Sequence, residues 1–195
     1  RGRAAAVFLA AAAPCLVWPQ SASAADAAAG MQKAQVCVAC HGPDGNSANP
    51  AVPSLAGQPA QFIATQLLMY RESRRKDAQM SPFAAGLSNA DLNNLATYFS
   101  TQKLAPPTFT ADPAQAEAGA RLALQHNCVQ CHGPALLGQQ HIPRLAGQQR
   151  DYLKTQLRGF KAGTRFDMDG QMTSAAQGLS DADIELLAAH LAGLK

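Results

Sequence analysis

Four stretches of the chain carry apolar side chains at helical spacing, and they form two matched pairs. Phe62, Ile63, Leu67 and Tyr70 fall on one side of a helix predicted over residues 60–75, and Tyr152, Leu153, Leu157 and Phe160 repeat the pattern. Ser88 and Asp91 form an acidic capping box that opens a helix through Leu92, Leu95 and Phe99. Ser180 and Asp183 do the same for a helix through Ile184, Leu187 and Leu191. Short helices are predicted just ahead of residues 37 and 128. No segment sustains the apolar–polar alternation of a half-buried strand. The predicted class is all-α.

The pairing runs through nearly the whole chain, which is written twice. Cys37-Val38-Ala39-Cys40-His41-Gly42-Pro43 returns as Cys128-Val129-Gln130-Cys131-His132-Gly133-Pro134. Leu55-Ala56-Gly57-Gln58 returns as Leu145-Ala146-Gly147-Gln148, and Thr65-Gln66-Leu67 as Thr155-Gln156-Leu157. Met80 and Gly86-Leu87-Ser88 return as Met172 and Gly178-Leu179-Ser180, and all these offsets lie between 90 and 92 residues. Pro106-Pro107 interrupts helical pattern between the copies, and Asp112-Pro113 reads as an N-cap with proline at the first helical position. The expected domains are residues 25–104 and 113–195, joined by a linker at 105–112.

Residues 1–24 follow a different pattern. Arg1 and Arg3 precede an apolar run from Ala4 to Trp18, and Ala22-Ser23-Ala24 supplies the small residues of a cleavage site. The expectation is a signal peptide, and with it a periplasmic location. The run is too short and too rich in alanine for a comfortable membrane span, and Cys15 goes with the discarded peptide. Once the two leader arginines are gone, the 16 basic and 13 acidic side chains of the whole sequence come close to balance. No basic tract remains to hold a nucleic acid. Only 6% of residues are aromatic, so two domains of this size would be marginal without something extra in their cores.

Cys37, Cys40, Cys128 and Cys131 are the cysteines left after processing. In an oxidising compartment they have the number for two disulfides, but C-x-x-C-H is the attachment motif of c-type haem. Two cysteine sulfurs one turn apart form thioethers with the porphyrin vinyl groups, and the adjacent histidine, His41 or His132, reaches the iron. A zinc site would need a second pair of ligands in each half, and a thioredoxin-type dithiol a βαβ pattern; neither is written here. Two covalently bound haem c groups are therefore expected. The second axial ligand is selected by the repeat. Met69 matches Gly159, Met168 matches no methionine, and His126, His141 and His190 match no histidine. Met80 and Met172 pair with each other. Thioether ligation favours ferrous iron and fills the sixth position, so the expected chemistry is electron transfer, without catalytic residues.

With these motifs in place, the chain resembles the dihaem cytochrome c4 family. The resemblance extends to Pro53-Ser54-Leu55-Ala56-Gly57-Gln58, to Pro143-Arg144-Leu145-Ala146-Gly147-Gln148, and to the Met…Gly-Leu-Ser segments that open each last helix. It implies two tandem class I cytochrome c domains related by a pseudo-two-fold axis, with neighbouring haems, and a monomeric shuttle that passes electrons to a terminal oxidase or similar redox partner protein. It leaves open peripheral association with the membrane. It further implies that the carbonyls of Pro53 and Pro143 hold the Nδ1–H groups of His41 and His132, the alternative being prolines that only stiffen a turn. One departure is Tyr98-Phe99 against His190-Leu191, from which looser packing of the last helix is expected in the second domain. Two other functions compete. One is the cytochrome subunit of a larger dehydrogenase. The other is a dihaem enzyme oxidising sulfur compounds, which would need an iron free of methionine.

Overall fold

An aspartate opens each half of the molecule. Asp26 accepts the Ala28 N–H at 2.8 Å and starts α1 (Ala27–Lys33). Asp112 accepts from Ala114 and Gln115 and starts α6 (Pro113–Gln125), with Pro113 in the first turn where its missing N–H is harmless. The computed structural model describes Gly2 and residues 24–195; the leader expected at 1–24, with Cys15, otherwise lies outside the described residues.

Single helical turns, α2 (Val38–His41) and α7 (Cys128–His132), carry the cysteine motifs. Then come α3 (Ala60–Arg71), α4 (Met80–Ala85) and α5 (Asn89–Thr101) in the first half. Their counterparts are α8 (Arg150–Lys161), α9 (Gln171–Gln177) and α10 (Asp181–Gly193). Both capping boxes form, Ser88 with Asp91 and Ser180 with Asp183. Among the described residues no strand is present beyond an isolated bridge between Gln139 and Ile142. No described helix is long and apolar enough to cross a membrane.

Two boundaries differ from the sequence expectation. α3 stops at Arg71, short of residue 75, because Ser73 turns left-handed at φ 57°; Gly163 makes the same turn at φ 65° in the second half. The helix ahead of the second motif is not short. α6 has 13 residues against 7 for α1, which tightens into a 3-10 turn at Ala34–Val36 before reaching its cysteine motif.

Each half closes on a helix crossing where only glycine fits. A Cβ on Gly30 would lie 2.1 Å from the Asn94 carbonyl oxygen of α5, and one on Gly119 would lie 2.3 Å from that of Leu186 in α10. The looser packing expected of α10 is absent: Phe99 and Leu191 are 3% and 4% exposed, and the longer α6 offers α10 more surface. Gly30→Ala or Gly119→Ala must push the crossing apart, at a cost of about 1–3 kcal/mol. Urea titration of the haem-loaded protein should show a lower midpoint with an unchanged slope.

The cores are separate. Ala34, Ile63, Leu95, Ala96 and Phe99 form one, and the second half holds two, centred on Ile184 with Leu187 and on Ala188 with Leu191. Between the halves, Asn46 holds the connecting stretch by accepting from the Ala105 N–H and donating to the Lys103 carbonyl. Phe109 packs that stretch onto the second half.

Polar groups dock the halves together, in symmetric pairs. The Gln58 side chain accepts from the Arg144 N–H at 3.0 Å and donates to the Arg144 carbonyl at 2.9 Å. Gln148 does the same with Ser54, at 2.8 and 2.9 Å. Gln66 accepts from Arg75 and Arg165, and Gln156 accepts from both as well. Each arginine stacks on an aromatic ring of its own half, Arg75 on Tyr70 and Arg165 on Phe160. These contacts relate the halves by a pseudo-two-fold axis.

Candidate functional site

One helical turn assembles each cysteine motif. The His41 N–H donates to the Cys37 carbonyl at 2.9 Å, which sets the histidine one turn beyond the first cysteine. Gly42 and Gly133, at φ 78° and 83°, then turn the chain sharply away. Cys37 and Cys128 are half-buried against the apolar cores, while Cys40 and Cys131 are exposed, and none of the four is paired in a disulfide. Burial pushes the Cys37 and Cys128 thiols up, and the neighbouring Cys40 and Cys131 thiols push the same way. A redox-active dithiol has the opposite shift. Among the described residues no three His, Cys, Asp or Glu side chains gather as zinc ligands.

His41 and His132 are buried, at 6% and 3% exposed. Each ring donates its Nδ1–H to a proline carbonyl, Pro53 or Pro143, at 2.8 Å. These prolines thus do more than stiffen a turn. The bond fixes the tautomer and leaves the lone pair on Nε2. Burial lowers the pKa of both imidazoles, which the carbonyls only partly offset, so both rings are neutral at neutral pH. Among the described residues no hydrogen bond engages Nε2 of either ring.

Met80 and Met172 sit in the first turns of α4 and α9. In both, an upstream aspartate accepts the methionine N–H at 2.8 Å, Asp77 for Met80 and Asp167 for Met172. Met172 packs on the same apolar cluster as Cys128. Met80 is half-buried but stands outside the cluster that includes Cys37. The methionines that the repeat set aside lie elsewhere: Met69 is 4% exposed in the core and Met168 is 57% exposed. His126 and His190 are half-buried, and His141 is exposed beside Asp169.

The docking residues Gln58, Gln148, Arg75 and Arg165 were not singled out from sequence. Their signal was present, since Gln66 and Gln156, Arg75 and Arg165, and Asp77 and Asp167 all recur at the offset of 90 seen for the Leu-Ala-Gly-Gln stretches.

The Cytochrome c family model matches residues 27–103 and again 116–195. The cytochrome c4 of Thiocapsa roseopersicina is 40% identical over 181 residues, covering 87% of this chain and 93% of that protein. The chain belongs to the dihaem cytochrome c4 family. The crystal structure of reduced recombinant cytochrome c4 from Pseudomonas stutzeri superposes with a TM-score of 0.81 at 38% identity, over 88% of this chain and all of that one. A protein named thiosulfate dehydrogenase electron acceptor, from Thiomonas intermedia (strain K12), is 38% identical over 88% of this chain and 84% of its own length.

Cytochromes c4 are dihaem electron carriers and not enzymes, and this chain is one of them, with two covalently bound haem c groups as cofactors. Its residues fit such groups. In each half a buried neutral imidazole keeps one nitrogen unengaged among the described residues, with two cysteines outside any disulfide on the same turn. At the interface, the Arg75 and Arg165 guanidinium groups form no ion pair with a carboxylate among the described residues and are held by Gln66 and Gln156.

Proposed function

We propose that residues 25–104 and 113–195 each carry one haem. Cys37 and Cys40 hold the first through thioethers, with His41 and Met80 on its iron; Cys128, Cys131, His132 and Met172 hold the second. The observation that carries this reading is the pair of buried imidazoles, each pinned at Nδ1 by a proline carbonyl so that Nε2 is the donor left for a metal. Bound there, haem iron supplies reversible one-electron exchange. The protein sets its terms. The pinned histidine is a well-oriented, basic ligand, and the methionine thioether is a soft, neutral one that favours the ferrous state. With both axial positions filled from the chain, a small substrate has no iron site to enter.

The reading is a periplasmic shuttle that takes electrons from a dehydrogenase and delivers them to a terminal oxidase. A sulfur-compound dehydrogenase is favoured as the donor, because a relative this similar is named as the acceptor of one. Reduced holoprotein mixed with an oxidase-containing membrane should be reoxidised rapidly, and thiosulfate should reduce the oxidised protein only when a thiosulfate dehydrogenase is added. Because the processed chain is nearly neutral, the rate should fall only weakly with salt. Thiosulfate consumption by the cytochrome alone would overturn the carrier reading.

A further inference from the structure

The hydrogen bond that pins each histidine does not end at the proline carbonyl. The Pro53 carbonyl and the Ser54 N–H belong to one peptide group, and so do the Pro143 carbonyl and the Arg144 N–H. The first peptide accepts from His41 Nδ1 at 2.8 Å and donates to Gln148 Oε1 at 2.8 Å. The second accepts from His132 Nδ1 at 2.8 Å and donates to Gln58 Oε1 at 3.0 Å. In each case the glutamine comes from the opposite half. Both glutamines are buried, at 3% and 4% exposed. The amide orientations follow from their partners, since a peptide N–H must meet oxygen and a carbonyl must meet the NH2.

We infer that Gln148 tunes the haem of the first domain and Gln58 the haem of the second, each through the peptide that holds the other domain's axial histidine. They act as positioning residues, and the inference rests on the axial roles proposed above for His41 and His132. The physical chain is short. An acceptor on the peptide N–H draws amide density toward the carbonyl oxygen, because hydrogen bonds in series polarise one another. A more negative carbonyl is a stronger acceptor for Nδ1–H. The imidazole gains anionic character, Nε2 becomes a better donor, and the ferric state is stabilised. Docking therefore lowers both potentials. By reciprocity, oxidation of either haem tightens the docking by the same factor. The arrangement couples the two domains without contact between their irons.

The effect of a partner one bond beyond the histidine's own should fall below the 10–100-fold typical of direct outer partners, at roughly threefold. In holoprotein, Gln148→Met should raise the potential of the first haem by that factor in the ferric-to-ferrous ratio, about 28 mV at 59 mV per decade. The second haem should stay within a third of that shift. Gln58→Met should do the reverse. The two haems are told apart by their shifted methyl resonances in the ferric spectrum. Gln148→Glu, whose protonated carboxyl can make both hydrogen bonds to Ser54, should bring the first potential back. A shift confined to the haem of the substituted domain, equal shifts in both, or no shift would each overturn the relay. His41→Ala tests the underlying assignment separately. If the first haem keeps its low-spin spectrum in that variant, the axial reading falls; if that spectrum is lost while Gln148→Met moves nothing, only the relay falls.

Discussion

Replacing Cys37 and Cys40 by serine is expected to reduce the covalent haem from two per chain to one and to unfold the first domain. Neither cysteine is paired in a disulfide, and both lie on the helical turn that carries His41. The loss of stability follows from the core. The first half packs five buried residues into its cluster, and two of them, Ala34 and Ala96, are alanines. A domain of this size with so little apolar volume has on the order of 3–5 kcal/mol at best. The second half keeps two clusters, including the fully buried Ile184 and Leu187, together with its own haem. Far-UV circular dichroism should lose roughly the helix of residues 27–101, and the pyridine haemochrome should read one haem. Two haems surviving acid–acetone extraction in the double variant would refute the attachment at Cys37 and Cys40.

The two halves explain why so much of the fold was legible. Each helix-forming pattern appears twice, so Phe62, Ile63 and Leu67 are supported by Tyr152, Leu153 and Leu157, and the Ser88 box by the Ser180 box. Where the copies differ, the reading was weakest. Tyr98 against His190 suggested looser packing, but side-chain size at one position matters less than the length of α6 and the fit at Gly119. Helix ends also escaped, because Ser73 adopts a left-handed turn that residue type alone does not favour. The site divides in the same way. Cysteine and histidine spacing is local and is read directly. The partner of a buried peptide N–H is not local: Ser54 and Gln148 are 94 residues apart, and only docking brings them together. A repeat shows that Gln58 and Gln148 are equivalent, yet it does not say that each serves the other's domain.

Met80→Ala should produce the largest change in redox behaviour. Removing the thioether should lower the potential of the first haem by on the order of 100 mV or more, since axial ligation is the main control of haem potentials. It should also weaken the sulfur-to-iron band in the far red and let carbon monoxide bind one haem. Met172→Ala should do the same to the second haem, with an added cost. Met172 packs on the cluster of Phe160, Leu179 and Ile184 but is itself half-buried, so its loss should cost about 1–2 kcal/mol, below the range for a fully buried methionine, whereas Met80 stands outside its cluster. The other methionines make the test specific. Met69 is buried beneath Gln66, so Met69→Ala should cost stability but leave both iron spectra intact. Met168 is exposed, so Met168→Ala should change neither. A band lost in the Met168 variant and kept in Met172→Ala would move the second ligand to Met168. Stability and ligation thus separate: Met69 should affect the first alone, Met80 chiefly the second, and Met172 both.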